Sequence, residues 1–270
     1  MVTALVPLKD LVMAKSRLSG VMTPSERRAL AQAMAQDVLG VLAEHPRIDS
    51  TVLVSDDPAA DLLTEHYRMV AWSEASLGVH GLNRVLQAAC VRLAALGAGA
   101  GTVLVLHADL PLLEAVDIER VLDEQGRTGG LVIGTDHEGV GTNLLAFGER
   151  YTPRFRFGIN SRQLHEQDAL RRQVPVSVLT SVGLSGDVDE VRDLHDYLQQ
   201  AGTGSGSKTA SFLRSAPIAG RLALTLAQFA APAGGAAGQP RLADDGSRSV
   251  AETTVGSVKL DNPSESGSYS

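Results

Sequence analysis

The fold is decided by one stretch of sequence, Thr102-Val103-Leu104-Val105-Leu106-His107-Ala108-Asp109-Leu110-Pro111. Its first five residues form a short apolar run rich in valine and leucine, which is typical of a strand buried on both faces. A carboxylate and a proline follow closely, so we expect the strand to end in a polar loop at Asp109. Ligands of such sheets bind beyond the carboxyl ends of the strands.

Strand and helix patterns alternate on both sides of this run. We expect further strands at 3–8, 51–54, 131–135, 143–147 and 176–179, and helices at 24–44, 83–96, 117–124 and 161–172, with a last helix ending near 198. Helix 24–44 has the clearest start, because Thr23-Pro24-Ser25-Glu26 is a capping box with proline at the first helical position. The alternation predicts an α/β protein, with a mostly parallel mixed sheet and helices on both faces.

Composition divides the chain near residue 200. Of its 270 residues, 44% are hydrophobic and 20% charged, and its net charge is −7. The first 200 residues hold 18 of the 24 Lys and Arg residues and 26 of the 31 Asp and Glu residues, a net charge of −8. Glycine, alanine and serine dominate afterwards. We therefore expect one folded domain over 1–200 and a low-complexity, flexible tail over 201–270, with a short helix at 218–230.

The same composition excludes several classes of protein. An acidic chain is a poor candidate for binding nucleic acid, which requires a basic surface. No run of about eighteen apolar residues predicts a membrane-spanning helix, and the N-terminus lacks the pattern of a secretory signal. Its single cysteine, Cys90, excludes a disulfide framework and a cysteine-rich metal site. Cytoplasm is the expected compartment.

Three cations follow the first expected strand, in a domain that is otherwise acidic. They are Lys9, Lys15 and Arg17. Lysine, arginine and loop amides bind phosphate, so a phosphate site is one interpretation. Neither a P-loop nor a glycine-rich dinucleotide motif is present. The spacing alone therefore leaves a phosphate site and an ordinary solvated charge cluster equally open.

Carboxylates follow two of the expected strands. Asp109 ends a buried strand, where a carboxylate needs a partner or a metal. Mg²⁺ is a natural partner, since it takes one or two carboxylates together with phosphate oxygens. Asp187 and Asp189 add a second pair, of which only one is expected to reach the same metal, because alternate strand residues face opposite ways. A helix cap or a salt bridge remains the other interpretation.

Small and neutral polar residues cluster later in the chain. Glycines before Thr142 and Asn143 permit close backbone approach, although a tight hairpin turn explains them equally well. Arg156, Gly158 and Ser161 precede a helix whose N-terminus suits a small anion, with Ser161 as the expected N-cap. His165 lies one turn further on and is expected to line the same pocket.

Taken in order, these motifs resemble the CofC (FbiD) family of guanylyltransferases, which act in the biosynthesis of the deazaflavin coenzyme F420. The resemblance covers about residues 4–198. The matching motifs are Pro7-Leu8-Lys9, Ala14-Lys15-Ser16-Arg17-Leu18, Asp56-Asp57, Gly81-Leu82-Asn83, 108–113, 139–143, 157–161 and 187–189. One departure follows Asp189, where Glu190-Val191 stands in place of the family's Thr-Pro.

The resemblance implies a Rossmann-like nucleotidyltransferase fold of the MobA type. It implies GTP-dependent transfer of GMP to a small phosphorylated three-carbon acid (phosphoenolpyruvate, 2-phospho-L-lactate or 3-phospho-D-glycerate), with release of pyrophosphate. It also implies Mg²⁺ held by Asp109 and Asp189, with Asp187 as the second choice. The expected partners are GTP, the phosphoacid and the deazaflavin transferase that takes the product, and a homodimer is an open expectation.

The same resemblance implies a role for each site residue. Lys9, Lys15, Arg17 and Asp109 are expected to be catalytic. Nucleotide binding is assigned to Lys9, Lys15, Ser16, Arg17, Asp56, Asp57 and Asn83. Phosphoacid binding is assigned to Thr142, Asn143, Arg156, Gly158 and Ser161. The alternatives are a molybdopterin-type guanylyltransferase, a glycosyltransferase with a D-x-D motif and a nucleotide-binding regulator without catalysis.

Overall fold

The computed structural model describes residues 1–9, 11, 15–97, 101–148, 150–202 and 206–230. Its strands are β1 (Val2–Pro7), β2 (Ser50–Val54), β3 (Val70–Trp72), β4 (Thr102–Leu106), β5 (Leu131–Gly134), β6 (Leu144–Gly148) and β7 (Val176–Leu179). Its helices are α1 (Pro24–Glu44), α2 (Ala59–Tyr67), α3 (Glu74–Leu77), α4 (Leu82–Ala95), α5 (Ala115–Thr128), α6 (Ser161–Arg171), α7 (Val182–Ser185), α8 (Val191–Gln200), α9 (Lys208–Leu213) and α10 (Ala216–Ala230).

All seven strands form one sheet in the order β3-β2-β1-β4-β6-β5-β7. Only β6 runs against its neighbours, and the other pairs are parallel. The short connection 135–143 explains this reversal, because a parallel pair requires a crossover of a dozen residues or more. The predicted α/β class with a mostly parallel mixed sheet is confirmed.

The sheet is buried on both faces by two separate groups of apolar side chains. In β1, Ala4 and Val6 belong to the group that includes Met34 of α1, whereas Leu5 belongs to the group that includes Leu86 of α4. Successive strand residues point to opposite faces, so a continuous apolar run is needed to fill both layers. This burial positions the ends of β1 and β4 side by side.

Helix α1 begins as the sequence predicts. The Thr23 hydroxyl accepts a hydrogen bond from the Glu26 N–H at 3.3 Å, and the Glu26 carboxylate accepts one from the Thr23 N–H at 2.8 Å. The two bonds satisfy N–H groups that the first helical turn leaves without partners.

The compact unit extends to Ala231, so the expected domain boundary at residue 200 falls inside it. Helix α10 covers the helix expected at 218–230, and α9 precedes it. The Asp37 carboxylate of α1 accepts hydrogen bonds from the Ser207 hydroxyl and from the N–H groups of Lys208 and Thr209. The linker-like composition of 201–207 predicted a flexible tail, so the sequence did not indicate that α9 and α10 pack against the domain. From residue 231 onwards, the flexible tail expected over 201–270 lies outside the described residues.

Shortening the chain after Gly202 is expected to lower the free energy of unfolding by about 3 kcal/mol. Buried Leu213, Ile218 and Leu222 would leave the core, and Asp37 would lose its partners. The melting temperatures of chains ending at residues 202 and 231 measure the effect, the longer one serving as the matched control. Equal melting temperatures would show that α9 and α10 contribute nothing to stability.

Candidate active site

A cavity of about 620 Å³ lies at the carboxyl ends of β1 and β4. This is the edge of the sheet at which the sequence predicts a ligand site. Residues from six parts of the chain meet there. The charged and aromatic ones include Lys9, Lys15, His107, Asp109 and Asp189, and Gly81 and Leu82 contribute the start of α4.

Lys15 is the centre of the charge arrangement in this cavity. Its Nζ lies 2.6 Å from Oδ2 of Asp109 and 2.6 Å from Oδ1 of Asp189, and its side chain is only 7% exposed. Burial alone would lower the pKa of Lys15, but the two carboxylates raise it above its ordinary value. The ammonium is therefore charged at every physiological pH, and it holds together two carboxylates that are far apart in sequence.

Asp109 keeps one oxygen for another partner. Its Oδ1 is buried and, among the described residues, has no hydrogen-bond partner. Burial works to raise the pKa of Asp109, but the Lys15 charge outweighs it and holds that pKa below the ordinary range. A buried oxygen that is both ionised and unpaired is a candidate cation ligand.

His107 is a cavity residue that the sequence reasoning did not select. Its Nδ1 lies 4.0 Å from Oδ1 of Asp109, and burial lowers its pKa, so the ring is neutral at neutral pH. The sequence feature that could have indicated His107 is its position two residues before Asp109, at the end of a buried strand.

Asp109 and Asp189 fit a divalent cation of the magnesium type. They already converge on one cation, the Lys15 ammonium, and Oδ1 of Asp109 is free to bind another. No group of three or more His, Cys, Asp or Glu side chains suited to a metal occurs in the described part of the chain. The remaining ligands would have to be phosphate oxygens and water, which is the arrangement that Mg²⁺ prefers.

Asp187 does not join this cluster. Its Oδ1 accepts a hydrogen bond of 2.9 Å from Nδ2 of Asn143, and it lines a second cavity of about 200 Å³. Burial is the main cause that raises the pKa of Asp187 to about 6. Asp189 and not Asp187 contacts the same ammonium as Asp109, and the choice between the two as metal ligand stays a prediction. Asn143 also donates to the carbonyl of Leu184, so its amide connects segments of the fold.

The other predicted phosphate-binding residues are Lys9, Ser16 and Arg17, all within six residues of Lys15 in the chain. Arg17 donates from a guanidinium nitrogen to Glu190 at 2.9 Å, and both side chains are exposed. An exposed ion pair of this kind is weak and can open for a phosphate. Ser16 is exposed at the start of the 3₁₀ turn Ser16–Leu18, and Lys9 lines the cavity.

Asp57 has a structural role where a nucleoside contact was expected. Its side chain is fully buried, and it accepts hydrogen bonds of 2.8 Å from the N–H groups of Leu11 and Ala59 and one of 3.2 Å from Arg28. It thereby anchors the loop after β1 to the start of α2. Asp56 is exposed beside it.

The predicted phosphoacid residues lie around the start of α6. Thr142 and Ser161 are buried, whereas Arg156 and Gly158 are exposed. The predicted N-cap at Ser161 is wrong. Ser161 is the first residue of α6, and the N-cap is Asn160, which has a left-handed backbone conformation (φ 55°). The N–H of Ser161 donates a hydrogen bond of 3.1 Å to the Gly158 carbonyl.

Solved structures of other proteins share this fold. A crystal structure assigned as a nucleotide-diphospho-sugar transferase of Desulfovibrio desulfuricans G20 shares the fold, with a TM-score of 0.67, 18% identity and coverage of 83% of this chain and 97% of that one. The fold of a 4-diphosphocytidyl-2C-methyl-D-erythritol synthase is also similar, with a TM-score of 0.52, 15% identity and coverage of 74% and 99%.

Residues 2–225 match the family described as guanylyl transferase CofC like, and the chain belongs to that family. A phosphoenolpyruvate guanylyltransferase of Rubrobacter xylanophilus is 36% identical over 193 residues, which cover 72% of this chain and 91% of the relative. A 2-phospho-L-lactate guanylyltransferase of Methanothermobacter thermautotrophicus is 32% identical over 211 residues, covering 78% and 89%. The resemblance seen in the sequence motifs is confirmed. None of the described helices is long and apolar enough to cross a membrane.

Proposed function

We propose that this chain is a GTP-dependent guanylyltransferase that joins GMP to a small phosphorylated three-carbon acid. The observation that carries the proposal is the cluster of Lys15 with Asp109 and Asp189 in the cavity at the strand ends. The two relatives named above act on phosphoenolpyruvate and on 2-phospho-L-lactate, and 3-phospho-D-glycerate is the third candidate. The product is a guanosine diphosphate-linked acid, and the leaving group is pyrophosphate.

The chemistry needs positioning and charge neutralisation more than acid–base groups. A phosphate oxygen of the acid attacks the α-phosphorus of GTP, and the bond to the bridging oxygen of the β-phosphate breaks. The nucleophile is already ionised, so no general base is needed to activate it. Lys9, Lys15 and Arg17 can neutralise the triphosphate and the departing pyrophosphate.

Asp109 and Asp189 would hold Mg²⁺, and Lys15 keeps these two carboxylates together before the substrates arrive. When bound, the metal supplies charge neutralisation between the two phosphate-bearing reactants. The Lys15 ammonium has three N–H donors, two of which bind the carboxylates, so one donor remains for a phosphate oxygen.

The product is expected to pass to a deazaflavin transferase, and the reaction to take place in the cytoplasm. The first statement depends on the family, and the second stays a prediction. A homodimer stays a prediction.

The reaction is tested by measuring pyrophosphate release with GTP and Mg²⁺ against phosphoenolpyruvate, 2-phospho-L-lactate and 3-phospho-D-glycerate separately. The deazaflavin precursor and its transferase are added to trap the product, and ATP in place of GTP serves as the control. We expect turnover with one acid and with GTP. Absence of pyrophosphate release with all three acids, despite measurable GTP binding, would overturn the assignment.

A further inference from the structure

Two side chains from different elements hold the loop 155–158 that precedes α6. Nδ2 of Asn83 donates to the Phe157 carbonyl at 3.1 Å, and Oδ1 of Asn83 accepts from the Phe157 N–H at 2.7 Å. Nε2 of His165 accepts from the Arg156 N–H at 2.9 Å. The backbone of two successive residues is thus fixed from α4 on one side and from α6 on the other.

The hydrogen bonds of His165 determine which nitrogen carries its proton. A backbone N–H only donates, so Nε2 is the acceptor and carries no proton. The proton is therefore on Nδ1, which lies 3.1 Å from the Thr142 hydroxyl oxygen and donates to it. Because that oxygen already accepts from His165, the hydroxyl keeps its own proton for an incoming acceptor such as a phosphate oxygen.

The surroundings of His165 preserve this state. The residue is completely buried, and burial, the main cause, lowers its pKa to about 4. The Phe157 ring lies 5.2 Å from the His165 ring and 5.0 Å from the His107 ring, centroid to centroid. Phe157 therefore connects the loop 155–158 to the strand end that carries Asp109.

We propose that His165 and Asn83 are positioning residues for the phosphoacid, acting through Arg156, Phe157 and Thr142 without touching the substrate. The proposal rests on the proposed function, and it assigns new roles to both residues. His165 was expected to line the pocket, and Asn83 to bind the nucleoside. His165 orients the Thr142 hydroxyl as a donor, and together with Asn83 it fixes the loop that presents the Arg156 guanidinium and Gly158 to an anion.

Two substitutions of His165 separate this role from packing. His165→Leu removes both hydrogen bonds, whereas His165→Gln keeps one acceptor and one donor. We expect His165→Leu to raise the KM for phosphoenolpyruvate, or for whichever acid the wild type uses, by about 100-fold, with the KM for GTP changed less than about threefold. His165→Gln is expected to restore most of the loss. His66→Leu, an exposed histidine on α2, is the matched control.

A second readout does not depend on activity. Amide hydrogen exchange of the peptide spanning 154–158 is expected to accelerate in His165→Leu and in Asn83→Ala, and to stay slow in His165→Gln. Unchanged exchange in both, or equal increases in the KM values for the acid and for GTP, would overturn the positioning role. If the wild type uses none of the three acids, the proposed function fails. In that case, faster exchange of the peptide in His165→Leu and Asn83→Ala would still show that the two side chains anchor the loop. Unchanged exchange would show that they do not anchor it.

Discussion

Asp109→Asn is expected to reduce turnover by about 1,000-fold, because the substitution removes the charge that would hold a divalent cation between the phosphates. The amide has almost the same shape as the carboxylate, and only one of the two Lys15 ion pairs is lost. The fold should therefore persist. Pyrophosphate release at saturating GTP and acid measures the effect.

Asp123→Asn is the matched control for this experiment. Asp123 is a surface aspartate paired with Arg47, and its side chain is 73% exposed. We expect the Asp123→Asn substitution to leave turnover unchanged. Turnover of Asp109→Asn within a few-fold of the wild type, at an unchanged melting temperature, would remove Asp109 from the site.

Lys15→Met is expected to have the second largest effect, a loss of about 100-fold or more in turnover, because the triphosphate loses a buried cation. The two carboxylates would then face each other without their shared ammonium. The pKa of Asp109, which Lys15 holds below the ordinary range, should rise. The stabilisation from this ion pair is present at neutral pH and disappears as the pH falls through the lowered pKa, so the variant should lose stability at neutral pH more than at low pH.

Metal affinity provides an independent readout for Lys15. Without nucleotide, the removal of a competing cation should strengthen binding of Mn²⁺ to Asp109 and Asp189, measured by titration of the ion alone. Lys208→Met is the matched control, since Lys208 contacts Asp37 through its backbone N–H and not through its side chain. Unchanged Mn²⁺ affinity in Lys15→Met would show that Lys15 does not share the carboxylates with a metal.

The sheet and the centre of the site could be predicted from local patterns. Apolar runs predicted the buried strands, and the capping box at Thr23 predicted the start of α1, because both depend on neighbours in sequence. The rule that ligands bind beyond the strand ends then brought Lys9, Lys15 and Asp109 to one edge. These three residues line one cavity in the structure.

Residue type alone could not show which polar residues have distant backbone groups as partners. Asp57 and Asn83 look like ligand-binding residues in the sequence, but one binds the Leu11 N–H and the other the Phe157 backbone. Any carboxylate or amide can bind either a ligand or a backbone group. The tertiary structure around the side chain decides which of the two it binds. The burial of α9 and α10 could not be predicted from the sequence either. Their apolar faces are short, and the segment before them has the composition of a linker.

The sequence by itself determined the α/β class, the family and the edge of the sheet that carries the candidate site, because apolar periodicity and ordered motifs are properties of the chain alone. Only the tertiary structure decided that Asp189 joins Asp109 on Lys15, that Asp187 contacts Asn143, and that His165 contacts Thr142. Each of these contacts joins residues that are far apart along the chain. Their distances and burial, and hence their charge states, exist only after the sheet has brought the strand ends together.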